Sequence, residues 1–152
     1  MGVSGAGKST VGKMLADRIG SDFYDADDFH SKENKEKMSK GIALNDTDRE
    51  PWLLSLRTFI ESRVNAVLAC SALKQSYRDV ITVPDKNIVF VYLKGDKEVL
   101  IKRLLERKEH YAGTNLLDSQ LETLEEPENA LTLDIVNDPE NIVEEILKQV
   151  DL

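Results

Sequence analysis

The chain has 152 residues, a formal net charge of −8, and 32% charged against 6% aromatic side chains. That length suits one hydrophobic core burying about two-thirds of the unfolded surface, and apolar runs such as Ala66-Val67-Leu68-Ala69 and Ile88-Val89-Phe90-Val91 show that the polarity is not that of a disordered chain. The acidic balance argues against a nucleic-acid backbone or an anionic membrane surface as partner; no stretch nears the ~18 apolar residues of a membrane span and no basic-then-apolar leader opens the chain, so a cytoplasmic protein is expected.

The first element is a phosphate-binding loop. Gly2-Val3-Ser4-Gly5-Ala6-Gly7-Lys8-Ser9-Thr10 meets the pattern G-x-x-x-x-G-K-[ST] in full. Its glycines let successive backbone N–H groups converge on one anion. Val11, Met14, Leu15 and Ile19 recur at helical spacing immediately afterwards, so a helix over 8–19 aims the positive end of its dipole at the same phosphates. In such a loop Lys8 reaches the β and γ phosphates of ATP and Ser9 ligates Mg²⁺. An acidic protein that binds a nucleotide must concentrate positive charge locally, and Lys8, Arg49, Arg78, Arg103 and Arg107 are the candidates.

Short apolar or β-branched runs then alternate with helical patterns, as in a parallel sheet with crossover helices. Strands are expected at Phe23-Tyr24, 66–70, 88–93 and 131–136, and helices at 32–40, 48–63, 96–108, 116–124 and 139–149, the last opened by Asp138 as N-cap and Pro139 at the first helical position. The fold class is α/β: a three-layer P-loop NTPase domain over residues 1–152 with a parallel sheet of about five strands. In that architecture a central strand feeds the loop, yet only Met1 precedes Gly2, and the expectation is that the sequence starts late relative to the natural protein.

Asp25-Ala26-Asp27-Asp28-Phe29-His30 follows the strand at Phe23-Tyr24, so its carboxylates face the phosphate crevice. One carboxylate can hold hydrated Mg²⁺ while another accepts a hydroxyl proton. Alternation along an extended segment puts Asp25 and Asp27 on one side, while Asp28 reads as a solvated N-cap. His30 is either a surface or capping residue or, given these neighbours, a substrate contact. Arg49 offers a guanidinium fork for a carboxylate, or forms a surface pair with Asp48 or Glu50. Trp52 reads as a packing anchor. Cys70 closes an apolar run and reads as a buried, inert thiol. Arg78 sits one turn beyond Lys74, on a helix that would place it on the crevice side. Arg103 and Arg107 lie one turn apart on one helix face, where Glu98, Glu106 and Glu109 could alternatively pair with them.

Taken in order, the phosphate loop, Asp25-Ala26-Asp27-Asp28-Phe29-His30, the stretch 34–38, Gly41-Ile42-Ala43-Leu44-Asn45-Asp46, Asp48-Arg49 with Pro51-Trp52-Leu53, Ala69-Cys70-Ser71-Ala72-Leu73-Lys74 with Tyr77-Arg78-Asp79, and Leu117-Asp118-Ser119-Gln120 resemble the gluconokinase family nearly end to end. The stretch 57–65 is shorter than that family's usual helix-to-strand connection, which trims a surface turn. The resemblance implies a fold like that of shikimate and nucleoside-monophosphate kinases, ATP and Mg²⁺ as cofactors, and transfer of the γ-phosphoryl to the 6-hydroxyl of D-gluconate. It implies Lys8, Asp27 and Arg107 as catalytic residues, Ser9 and Asp25 at the metal, and Gly2 to Thr10 with Arg103 and Arg107 around the nucleotide. Gluconate contacts fall to Asp27, His30, Arg49, Arg78 and Gln120. A lid at about 108–124, closing through 108–115, would exclude water. A small-molecule substrate, no nucleic-acid or membrane partner, and a homodimer are compatible with it. From the residues alone, a kinase for another hydroxy acid or a nucleotide, a nucleotide-binding switch and a non-catalytic binding protein stay open.

Overall fold

The computed structural model describes residues 1–106 and 110–150. In chain order it holds α1 (Lys8–Ile19), β1 (Asp22–Asp25), a 3-10 turn (Ala26–Phe29), α2 (Lys32–Ser39), α3 (Asp46–Glu61), β2 (Ala66–Ala69), α4 (Gln75–Ile81), β3 (Val91–Lys94), α5 (Lys97–Glu106), α6 (His110–Thr123), β4 (Leu131–Asp134) and α7 (Pro139–Gln149). All four expected strands form and all pair in parallel, β1 with β2 from Asp22↔Ala66 to Asp25↔Ala69, and β3 with β4 from Val91↔Leu131 to Lys94↔Asp134. They do not join into one sheet. Among the described residues they make two two-stranded sheets, β1-β2 and β3-β4.

Met1 and Gly2 carry backbone hydrogen bonds into the gap between β2 and β3. The Met1 amino group donates to the Val91 carbonyl, Leu93 N–H donates to the Met1 carbonyl at 3.0 Å, and Gly2 N–H donates to the Ser71 carbonyl at 3.3 Å. The two bonds around Tyr92 are the pattern of one parallel ladder step. They set the phosphate loop at the carboxyl ends of β2 and β3, the edge at which Asp25 closes β1.

Alternation along β1 assigns the helices to layers. Phe23 faces α1, where its ring lies 2.7 Å from the position a Cβ would take on Gly12, and Tyr24 meets Phe59 of α3 edge-on at 4.6 Å. Successive strand side chains point to opposite faces, so α1 and α3 cover opposite faces of the β1-β2 pair. The core joins Val11 and Leu15 of α1, Leu56 of α3, Leu93 of β3, Leu100 of α5, Leu117 of α6 and Ile142, Val143 and Ile146 of α7.

Helix boundaries differ from the sequence expectation where capping overrides periodicity. α3 starts two residues early because Asn45 and Asp48 exchange side-chain-to-backbone bonds, Asp48 N–H to Asn45 Oδ1 at 2.8 Å and Asn45 N–H to Asp48 Oδ2 at 3.1 Å. Asp138 stands at the α7 N-cap as expected but makes no side-chain cap bond, and Pro139 occupies the first turn. The connection after α3 is a short surface turn with Val64 91% exposed.

Candidate active site

The loop closes onto α1 through Gly7, whose φ of +92° at the helix N-cap suits a residue without a Cβ. At Gly2 the backbone passes so close to β3 that a Cβ would stand 2.9 Å from the Leu93 carbonyl oxygen. The expected roles of Gly2, Gly5 and Gly7 in curling the chain agree with the positive φ found at all three. Lys8 donates from Nζ to the Val3 carbonyl at 2.9 Å, folding back along the loop, and the amides of α1 open toward the same space.

Ser9 and Asp25 meet across that opening, with Oγ 3.0 Å from Asp25 Oδ2. A hydroxyl and a carboxylate beside a phosphate cradle fit Mg²⁺, a hard cation that takes one or two protein oxygens and completes its shell with phosphates and water. No group of three or more His, Cys, Asp or Glu that could hold a metal occurs among the described residues.

Asp25 and Asp27 do come together, but not by strand alternation. The chain leaves β1 at Asp25 and coils into the 3-10 turn, and Asp25 Oδ1 accepts the Asp27 N–H at 3.0 Å as its cap. Asp27 is carried to the crevice mouth. Its carboxyl lies above the usual carboxylate range, first because the surrounding protein displaces water from it, then because of the Asp25 charge, with Lys8 pulling the other way. Its side chain is still 69% open to solvent, so the group is crowded rather than enclosed. Asp28 is not a helix cap. Ser31 caps α2, accepting Asn34 N–H at 3.1 Å, because the intervening 3-10 turn moves the helix start.

His30 is a buried member of the site wall. Its ring stacks on Trp52 at 4.4 Å and 12°, lies 3.4 Å through Nδ1 from the Asn34 amide nitrogen, and stands 3.9 Å from Asp27. Burial, then the charges of Arg49 and Lys35, push its pKa down to about 4, so the ring is neutral at physiological pH. Trp52 is the anchor the sequence suggested, 2% exposed, its indole N–H donating to the Ala26 carbonyl at 2.7 Å. Cys70 is likewise buried, its thiol pKa pushed up to about 11 by burial.

Arg49 pairs with neither Asp48 nor Glu50. Asp48 is held by Lys37 at 2.8 Å, and Arg49 lies over the Tyr77 ring at 5.4 Å and donates to its hydroxyl at 3.1 Å. The Tyr77 hydroxyl in turn donates to Asp46, which also takes Lys74 at 2.9 Å, and these two bonds hold the Asp46 carboxyl below its ordinary range. Asp46, Lys74 and Tyr77 were not singled out from the sequence as site residues. Tyr77 stands beside Arg78 in the segment that carried the resemblance, but which of the two faces the crevice depends on the orientation of α4.

The orientation reverses the expectation for Arg78. Arg78 is 3% exposed, and its guanidinium donates to the Ala72 carbonyl at 2.8 Å, the Leu73 carbonyl at 3.3 Å and Gln75 Oε1 at 3.0 Å. It holds the loop after β2, where Ala72 sits at a φ of +45° rare for a residue with a Cβ. Gln120 also differs from its expected place: Oε1 accepts Ser4 N–H at 2.6 Å, so it touches the phosphate loop. Arg103 donates to the Ile135 carbonyl and passes 3.7 Å from where a Gly7 Cβ would stand, beside the phosphate loop. Arg107 and lid positions 108 and 109 lie outside the described residues. The rest of the expected lid is α6, which packs on α5 and α2, buries Leu117 completely and is tied to α5 by Lys97–Asp118 at 2.7 Å.

The shikimate kinase family profile matches residues 4–151. A gluconokinase of Arabidopsis thaliana is 43% identical over 99% of this chain and 89% of its own length. The thermoresistant gluconokinase of Escherichia coli is 44% identical over 94% of this chain and 86% of its own. A crystal structure of a gluconokinase from Sinorhizobium meliloti superposes with a TM-score of 0.89 at 42% identity, covering 97% of this chain and 87% of that one. Such identity, extending from the phosphate loop through the last helix, places the chain in the gluconokinase family of shikimate kinase-type P-loop kinases.

Proposed function

We propose that the protein transfers the γ-phosphoryl group of ATP to the 6-hydroxyl of D-gluconate, giving 6-phospho-D-gluconate and ADP. The observation that carries this reading is the placement of Asp27, with its raised carboxyl pKa, at the mouth of the phosphate loop beside Ser9 and Asp25 and within the field of Lys8. A base near the transferring phosphoryl group serves an alcohol acceptor. Curated relatives named gluconokinase, at 43–47% identity over nearly the whole chain, support gluconate as that alcohol.

The loop amides and Lys8 bind the phosphates, with Arg103 at the nucleotide end and Arg107 assigned to the phosphates by family likeness. Mg²⁺ bound with the nucleotide would be held by Ser9 and Asp25 and would supply charge neutralisation on the phosphates. Arg49, steadied by Tyr77, takes the gluconate carboxylate. Neutral His30 and Asp27 face the polyol. Asp27 accepts the hydroxyl proton as the gluconate oxygen bonds to γ-phosphorus and the bond to the ADP oxygen breaks. The far end of α6 is fixed, because Leu117 is fully buried and Glu125 is bonded to Leu73 and Gln75.

Coupled ADP release with Mg²⁺ and ATP, measured without acceptor, with D-gluconate and with shikimate, tests the reading. Turnover that requires gluconate supports it. Turnover with shikimate alone, or the same rate with no acceptor, overturns it.

A further inference from the structure

His30 and Asn34 are both buried, where the 3-10 turn gives way to α2. The Asn34 side-chain nitrogen lies 2.7 Å from the Asp48 carbonyl oxygen and 3.4 Å from His30 Nδ1. A backbone carbonyl only accepts, so the first contact settles which end of the amide is nitrogen. An NH₂ group has two hydrogens to donate, and the second goes to Nδ1, which must therefore hold a lone pair. The ring then carries its one hydrogen on Nε2. An imidazolium would set N–H against N–H at Nδ1, so the same contact excludes the charged form. Burial, then the Arg49 and Lys35 charges, act in the same direction.

The ring is fixed in its plane and in its position. It stacks on Trp52 at 4.4 Å and 12°, and Trp52 is tied to the Ala26 carbonyl at the head of the turn that carries Asp27. Asn34 is held as well: its backbone N–H bonds to the Ser31 hydroxyl, and the Lys37–Asp48 pair at 2.8 Å clamps α2 to α3. Nε2–H is turned toward Asp27, with Oδ1 3.9 Å away. That separation is too long for a hydrogen bond, and Nε2 has no other partner among the described residues. With the opposite tautomer, a lone pair would face the Asp27 carboxylate and offer a second base for the hydroxyl proton. With Nε2–H, Asp27 is the base and His30 is a neutral donor to an oxygen of the alcohol. The attacking oxygen keeps its lone pair for phosphorus, since a donor on it would weaken the nucleophile, so the donor suits the oxygen on the neighbouring carbon.

We infer that Asn34 is a positioning residue: it locks His30 as the Nε2–H tautomer, and the donor so fixed beside Asp27 selects alcohols that carry an oxygen on the carbon next to the hydroxyl being phosphorylated. The selection rests on the kinase reading above; the tautomer lock does not.

Nitrogen NMR of the imidazoles at pH 7, without nucleotide or gluconate, reads the lock by itself, because a ring nitrogen bearing hydrogen and one bearing a lone pair resonate far apart. The chain has two histidines, so a His30→Gln spectrum identifies the His30 signals. The hydrogen is expected on Nε2. Asn34→Asp, which presents an acceptor to Nδ1, should bring hydrogen there, and Asn34→Leu, which neither donates nor accepts, should leave both tautomers populated. Hydrogen on Nδ1 in the unaltered protein, or a pure Nε2–H form in either folded variant, overturns the proposal. Coupled ADP release with D-gluconate and with its 5-deoxy analogue reads the selection. The analogue should lose about tenfold or more in kcat/KM, and His30→Phe, which keeps the stack on Trp52, should bring the two acceptors within about twofold of each other. Undiminished discrimination in His30→Phe overturns the selection while the kinase reading stands; no turnover with either acceptor overturns both, and the NMR result still decides the lock.

Discussion

Asp27 and His30 are neighbours whose proton affinities are displaced in ways that work on stability and activity together. The folded state raises the Asp27 pKa, so folding favours the protonated form; the stability this contributes is present at low pH and lost as pH rises through the folded value. Replacing Asp27 by Asn therefore should not lower Tm at pH 7 and should raise it, while turnover falls by about 10² to 10⁴-fold with nucleotide affinity retained. Tm and single-turnover rates on the same sample check both halves. The acid limb of the pH–rate profile should lie above that of an ordinary aspartate, since the base must be deprotonated. His30 has the opposite sign: its pKa falls from 6.5 to about 4, so stability is full above the unfolded value and declines as pH drops from 6.5 toward 4. Melting curves between pH 7 and pH 4.5 should show a decline that His30→Gln flattens.

At the level of elements, α4 separates two arginines that look alike in sequence. Arg78 spends its fork on the Ala72 and Leu73 carbonyls, and Arg49 reaches across to Tyr77. Arg78→Ala leaves buried carbonyls unpaired at about 1 to 3 kcal/mol each, which should appear as a Tm loss of roughly 5 °C with the gluconate KM of the folded fraction unchanged. Arg49→Ala should do the reverse, raising gluconate KM about tenfold or more through loss of a charge-assisted contact while Tm and ATP binding hold. A KM rise in the Arg78 variant would return that residue to the substrate site. The sequence could place both residues near the crevice, but not choose between them, because α4 is a seven-residue helix whose facing is set by packing on α3.

For the molecule as a whole, the proposed nucleotide and acceptor sites share elements from both sheets: Asp25 ends β1, the loop leans on β3 through Gly2 and Leu93, and Gln120 of α6 accepts the Ser4 N–H. Binding should therefore act on global stability. Saturating ATP with Mg²⁺ at about a hundred times its Kd should add about 2.7 kcal/mol, read as a Tm rise, and Gln120→Ala should leave that rise in place while freeing the Ser4 amide in the unliganded protein. A Tm that does not respond to nucleotide would separate the site from the cooperative unit.

By itself the sequence determined the phosphate loop, the α1 helix, the four strands and the Asp25–Asp27 pair, since each rests on local chemistry: glycine conformations, hydrophobic period and short spacing. The inert Cys70 and the Trp52 anchor were legible for the same reason. The tertiary structure decided what depends on direction in space. It turned the Arg78 guanidinium onto the loop after β2 and set the buried Tyr77 hydroxyl between Arg49 and Asp46, buried His30 against Trp52, and brought Asp25 to Asp27 through a capped turn instead of strand alternation. Among the described residues it also left the strands in two two-stranded parallel sheets. Period and spacing say which residues share an element, but the partner of a strand edge and the facing of a short helix are set by long-range packing, which one-dimensional patterns do not encode.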